Sequence, residues 1–205
     1  MKIPLFPLDL VLFPGVPLPL HIFEPRYRQM TAECLEANAP FGIVRAQPEG
    51  LAVIGCTAQI VRVLHHYPDG RSDILTQGLN RFEIEQLIGQ GADASTYLQA
   101  EVDLLPDTGE PASRPAREEC VALHFEALHL LGAGDASMQF DLDQPLAYLV
   151  AASMPADLDF RQQLLAERSD AARTETLLRY YREILPKLRR SRQVSQRAST
   201  NGHVM

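Results

Sequence analysis

Leu18, Leu20 and Ile22 alternate with Pro17, Pro19 and His21, the two-residue period of a strand with one face covered. The segment "PRYRQMTAECLEAN" that follows changes to a helical period. Pro25 suits its first turn, Tyr27, Met30 and Cys34 share a face, and Asn38 is a C-terminal stop. "FGIVRA" is a short strand. "VIGCTAQIVRVLHHY" and "RSDILTQGL" flank "YPDGR", where Pro68-Asp69-Gly70 is turn chemistry. In "NRFEIEQLI", Phe82 and Ile84 alternate with Arg81, Glu83 and Glu85. In "YLQAEVDLL", Leu98, Ala100, Val102 and Leu104 alternate with Tyr97, Gln99, Glu101 and Asp103. These are antiparallel strands with one buried face. No crossover helix separates them, so about six strands and one short helix form a meander that must curl or close to cover its apolar side.

"LFPGVPLPLHIFEPRYR" has the apolar content of a strand and four prolines, Pro14, Pro17, Pro19 and Pro25. Residues i and i+2 of a strand aim their N–H groups at the same edge. Pro17 and Pro19 therefore strip donors from one edge only, and Leu18, Leu20 and Ile22 keep theirs on the other. The expectation is a strand paired on one side, with its proline edge at a barrel seam or under a loop or helix. Such an edge cannot receive a peptide by strand addition. A bound polypeptide is then expected elsewhere, through side chains.

"PDTGEPASRP", residues 106–115, reads as a linker between a β-rich part, 1–105, and a helical part, 116–190. In the second part Val121, Phe125 and Leu128 share a face, and that helix stops around Gly132 and Gly134. A second helix opens near Asp143 and buries Leu146, Leu149 and Val150 before Met154-Pro155. A third opens near Asp157 and uses Phe160 and Leu164. A fourth runs from about Asp170 through Leu177, Leu178, Tyr181 and Leu185, with Pro186 expected to kink or end it. The fold class is α+β.

The 205 residues carry a net charge of −7. Residues 186–205 hold Lys187, Arg189, Arg190, Arg192 and Arg197 and no acid, so the remainder carries −12. An acidic body repels nucleic-acid phosphate. Residues 191–205 are polar and are expected to be a disordered basic tail. No apolar run reaches the ~18 residues of a membrane span, and "MKIPLFPLDLVLFPG" makes a poor signal peptide. The reading is a cytoplasmic protein. Cys34, Cys56 and Cys120 are odd in number and far apart, which fits reduced, buried thiols.

Catalytic and metal motifs do not assemble. Glu126 and His129 have Glu-x-x-His spacing, but no second such pair exists and the only later histidine is His203. Cys120 and His124 lie at i, i+4 without the third ligand zinc normally takes. His65 and His66 point to opposite sheet faces. "GQGAD", 89–93, reads as a loop. There is no G-x-x-x-x-G-K-[ST], no Gly-x-Ser-x-Gly and no His-Glu-x-x-His. Neither Lys2 nor Lys187 has the setting of a Ser–Lys dyad. No cofactor is expected and no enzyme activity is read. Phe82 is expected in the core, and Arg81 beside it is either a solvated neighbour or a rim anchor.

The opening "IPLFPLDLVLFPGVPLPLHIFEPRYRQM", then "FGIV", "VIGCTAQIVRV", "YPDGRSDILTQGLNRFEI" and "YLQAEVDLL", in that order, resemble the N-terminal substrate-recognition domain of the ATP-dependent protease Lon. The helical part resembles that domain's C-terminal bundle, so the likeness covers roughly residues 1–190. It implies a PUA-like β pseudobarrel followed by a helical bundle, in a stand-alone form without the ATPase and protease. It also implies a non-catalytic module that binds unfolded or extended polypeptide, alone or with a protease or chaperone. Phe13, Phe23, Tyr27 and Arg81 are the candidate contacts. Two alternatives are an RNA-binding role, suggested by the PUA-like fold alone, and a small-molecule binder or enzyme using the barrel–bundle cleft.

Overall fold

A computed structural model describes residues 1–88, 97–133, 139–154 and 156–201, with side chains described as far as 194. "GQGAD", Gly134, Pro155 and His203 lie outside the described residues. The chain divides into two compact units, Met1–Asp107 with Ala156–Arg168, and Thr108–Pro155 with Ser169–Met205.

The described residues of the first unit form seven strands: β1 (Lys2–Leu8), β2 (Pro17–Ile22), β3 (Phe41–Gln47), β4 (Gly50–Leu51), β5 (Ile54–His66), β6 (Ser72–Ile88) and β7 (Leu98–Leu104). β5, β6 and β7 are the antiparallel meander read from the alternation. β1 closes it by pairing antiparallel with β7 and parallel with β3, which in turn pairs with β5. The ring β1–β7–β6–β5–β3 is the expected pseudobarrel. "RSDILTQGL" and "NRFEIEQLI" are one strand, β6, because Asn80 and Arg81 keep extended geometry between them. Gly70 supplies the turn's left-handed residue at φ 84°. Inside the ring, Ile3, Leu5, Val44, Phe82, Ala100 and Val102 form the core, so Phe82 is where its alternation put it.

β2 stands off the ring and, among the described residues, pairs only with β6, from Pro17↔Gln77 to Ile22↔Ser72. This is the one-sided pairing that Pro17 and Pro19 demand. The loop ahead of it crosses close to β6: the Gly15 N–H donates to Gly78 O at 2.8 Å and the Gly78 N–H to Val16 O at 2.9 Å. A Cβ on Gly78 would lie 2.2 Å from Phe13 O, so only glycine admits the crossing.

Helix α1 (Pro25–Ala37) starts at Pro25 and ends at Asn38, whose φ of 47° is the left-handed stop expected of it. It buries Tyr27, Met30, Thr31 and Cys34. Helix α4 (Leu158–Ala166) also belongs to this unit and not to the helical part, where its position in the chain had placed it. Asp157 caps it, accepting from the Phe160 N–H at 2.7 Å. Gln162 Nε2 donates to Ile54 O, and Arg45 pairs with Asp159, which ties α4 to the sheet.

The second unit packs α2 (Arg114–Leu131), α3 (Ala147–Ser153) and α5 (Asp170–Asn201). Ser113 caps α2, so the helix begins inside the stretch read as a linker. α3 opens at Ala147, later than Asp143 suggested, and Leu149 stays exposed while Leu146 and Val150 are buried. α2 buries Cys120, His124, Ala127 and Leu128, a face turned by one residue from the one predicted. α2 and α5 run parallel. Glu119–Arg182, Glu126–Arg189 and the bond from Arg192 to His129 O all share an offset of 63 residues. Pro186 does not end α5. It is exposed, so the carbonyl its ring leaves unbonded is on the water side, and Leu185 stays anchored in the core. The helix α5 extends as far as Asn201, since lengthening a nucleated helix costs little per residue. Among the described residues no helix is long and apolar enough to cross a membrane.

Candidate functional site

The prolines and apolar residues near the N-terminus bring β1, β2 and α1 together around a cavity of about 380 Å³ in the first unit. β1 contributes Phe6, Pro7 and Leu8, and β2 contributes Leu20, His21 and Ile22. Phe23 and Glu24 join β2 to α1, whose first turn adds Arg26 and Tyr27; Leu98 of β7 completes the lining. Among the described residues β2 is held on its β6 side alone, and β7 pairs with β1 as far as Leu5. The cavity lies where β1 runs on beyond its pairing with β7, opposite the end of β2.

The lining is mainly apolar. The Phe6 and Tyr27 rings stack with centroids 4.0 Å apart, and Phe41 supports Phe6 from 6.2 Å. The Arg26 guanidinium sits 4.7 Å from the Tyr27 ring centre and binds Glu24 at 2.8 Å, so the cavity's one carboxylate is neutralised where it stands. Burial pushes the Tyr27 phenol up, so it stays protonated. His21 Nδ1 meets Asp73 Oδ1 at 2.6 Å, Tyr67 donates to Asp73 Oδ2 at 2.8 Å, and these bonds hold the Asp73 carboxyl below its usual range. Phe23 stacks on His21 at 6.0 Å. Among the described residues the lining contains no serine, threonine, cysteine or lysine. The geometry suits an apolar side chain entering beside a small polar rim.

Two of the four sequence candidates meet here. Phe23 is 58% exposed at the mouth, and Tyr27 is buried but lines the wall. The other two are corrected. Phe13 is 1% exposed, locked under the Gly78 crossing, and offers nothing to a partner. Arg81 is 2% exposed and is a staple: it donates to the carbonyls of Leu165, Ala166, Glu167 and Pro106 and to Asp107 at 2.9 Å. It neutralises the C-terminal end of α4, where a cation is favoured. Leu8, Leu20 and Leu98 were missed as site residues. Alternation marks Leu20 and Leu98 as lying on the apolar side of their strands, Leu8 falls outside any such pattern, and nothing local says that the wall is open there. Leu20 to Glu24, at the end of the proline-rich stretch, form one side of the cavity.

The metal-like pairs have other partners. His124 Nδ1 lies 2.8 Å from the Tyr181 hydroxyl and Nε2 3.2 Å from Ser153 Oγ, and burial lowers its pKa. Burial raises the Cys120 thiol to about 12. Glu126 pairs with Arg189 at 2.7 Å. Among the described residues no three His, Cys, Asp or Glu side chains gather as a metal would require.

Comparison with known proteins bears on the family and the fold. The family model described as the ATP-dependent protease La (LON) substrate-binding domain matches residues 2–183. Lon protease of Parabacteroides distasonis is 35% identical over 115 residues, 52% of this chain and 13% of its own. Lon protease 2 of Syntrophobacter fumaroxidans is 25% identical over 217 residues, 97% of this chain and 26% of its own. The chain thus spans about a quarter or less of these curated relatives. The Lon N-terminal domain protein from Xanthomonas campestris shares the fold with a TM-score of 0.70 and 24% identity, over 88% of this chain and 98% of that one. The N-terminal domain of Mycobacterium avium complex Lon protease does so at 0.66 and 17%, over the same shares. The match across residues 2–183 is the measure of kinship: this chain belongs to the Lon substrate-binding domain family.

Proposed function

We propose that the chain is a non-catalytic recognition module that binds unfolded or extended polypeptide in the cytoplasm, with an apolar side chain of the client seated in the cavity bounded by Leu8, Leu20, Phe23, Tyr27 and Leu98. The observation that carries this is the cavity itself. At about 380 Å³ it is open and mainly apolar, near the low end of the ~300–1,000 Å³ range of small-ligand sites. The family supports the choice of polypeptide as ligand. β2 offers few N–H donors on its outer edge, so affinity comes from side-chain burial more than from a shared ladder.

The test is fluorescence anisotropy with a permanently unfolded, carboxymethylated polypeptide. Leu20→Asp and Leu98→Asp each place a charge on the cavity wall and are expected to weaken binding by about tenfold or more. Parent-like affinity in both variants, with the fold intact, would exclude the cavity as the seat of binding. Failure of the parent to bind any unfolded chain would exclude the function.

A further inference from the structure

We propose that the outer edge of β5, residues 60–66, is a strand-addition site for an extended polypeptide in which acidic residues alternate with apolar ones. This surface is separate from the cavity and does not rest on the cavity's assignment.

The prolines of β2 decide which backbone groups are free on β5. Pro17 and Pro19 have no N–H, so β2 bonds β6 through Leu18, Leu20 and Ile22, opposite Thr76, Ile74 and Ser72. The Gly78 N–H bond to Val16 O keeps the same parity. Gln77, Leu75 and Asp73 therefore turn their backbone groups to β5, opposite Gln59, Arg62 and His65. Ile60, Val63 and His66 stand opposite residues already committed to β2. Their N–H and C=O groups point to the outer edge. They are three residues apart, but the register skips Val61 and Leu64, so each step covers only two residues of β6. Outward groups thus recur at about 6.8 Å, the repeat of an ordinary strand. The bulges leave the edge in step with an incoming strand.

The rest of that edge is occupied. Ile54 O accepts from Gln162, β3 pairs from Cys56 to Ala58, and Gln59 Nε2 donates to Asn38. From Ile60 onward no described strand pairs with it. Val61, Val63 and Leu64 are 56%, 40% and 45% exposed. Edge strands are usually guarded by proline or lysine. β2 has that guard at Pro17 and Pro19, and β5 has neither residue between 54 and 66.

Charge selects the occupant. Arg62, His65 and His66 lie in the open segment, and no acid occurs from Leu51 to Pro68, in a chain of net charge −7. A second copy of the edge would set Arg62 against its own kind. A strand carrying carboxylates between apolar side chains pairs with both features.

The probe is a blocked peptide of alternating glutamate and valine, with alternating lysine and valine as control, titrated into the full chain. Backbone amide exchange should slow at Ile60, Val63 and His66. Val63→Pro removes one outward donor while leaving the bonds to β6, and should weaken the glutamate peptide about tenfold at an unchanged melting temperature. Arg62→Glu should shift preference to the lysine peptide. If Val63→Pro loses its fold, the exchange pattern and Arg62→Glu decide. The proposal fails if the peptide protects none of the three amides, if folded Val63→Pro binds as the parent does, or if Arg62→Glu leaves the preference unchanged. It also fails if the three amides are protected without peptide in a concentration-dependent dimer, which would make a second copy the occupant.

Discussion

Replacing Arg81 by alanine separates a structural role from a binding one. The guanidinium reaches four carbonyls at 3.1–3.4 Å and the Asp107 carboxylate at 2.9 Å, with its side chain 1% exposed. Hydrogen bonds to a buried charge contribute about 1.5–3 kcal/mol each. These do not simply add. Three carbonyls share one nitrogen, and Asp107 is 42% exposed, so water replaces that partner when the arginine goes. Counting the shared carbonyl set and the Pro106 bond gives a loss of about 3–4 kcal/mol. In a unit of this size that lowers the melting temperature by roughly 10 °C. Arg81→Lys keeps the charge without the planar fork and should recover part of it. Thermal unfolding by circular dichroism reads the stability, and anisotropy below the transition reads the affinity. The expected result is a large drop in melting temperature with polypeptide affinity unchanged. An Arg81→Ala chain that melts with the parent but no longer binds would refute the reasoning and restore Arg81 as an anchor.

Other perturbations give equally direct outcomes. Gly78→Ala forces a Cβ to within 2.2 Å of Phe13 O, a backbone atom that cannot rotate away, so it should cost about 3 kcal/mol or more in denaturant unfolding; full tolerance would contradict the loop crossing. His124 is buried and its pKa is lowered by burial. The unfolded chain therefore binds its proton more readily, and the helical unit should lose stability as pH falls below about 6.5, the unfolded value, toward the lower folded one. His124→Gln should flatten that slope in urea titrations at several pH values. Burial raises Cys34 to about 11 and Cys56 and Cys120 to about 12, so none should react with a thiol reagent at pH 8 until the chain unfolds; reaction of the native protein would show that a thiol is exposed.

Local chemistry was legible where one residue type meets one backbone demand. Asn38 and Gly70 stop a helix and turn a hairpin through their tolerance of left-handed geometry, and Pro17 with Pro19 fixed the side on which β2 pairs. Phe82 followed from alternation because its side chain is fully enclosed in the core of the ring. The misses are long-range. β1 closes the ring through a parallel pairing with β3 that no local pattern encodes. Arg81 alternates like a surface residue, yet the end of α4, more than eighty positions away, covers it. Pro186 signals a helix end, but core contacts at Leu185 and an exposed proline override it. The cavity was half legible. Phe23 and Tyr27 stood out as aromatics beside proline, while Leu8, Leu20 and Leu98 look like any strand leucine.

The central claim is that client polypeptide seats a side chain in the cavity between β1, β2 and α1. Methyl resonances of Leu8, Leu20 and Leu98, recorded while an unfolded carboxymethylated polypeptide is titrated in, test it most directly. Saturable shifts are expected at these leucines, with leucines of α2 and α5 such as Leu128 and Leu177 unmoved. Saturable binding that shifts only the helical unit, and leaves the three cavity leucines in place, would contradict it.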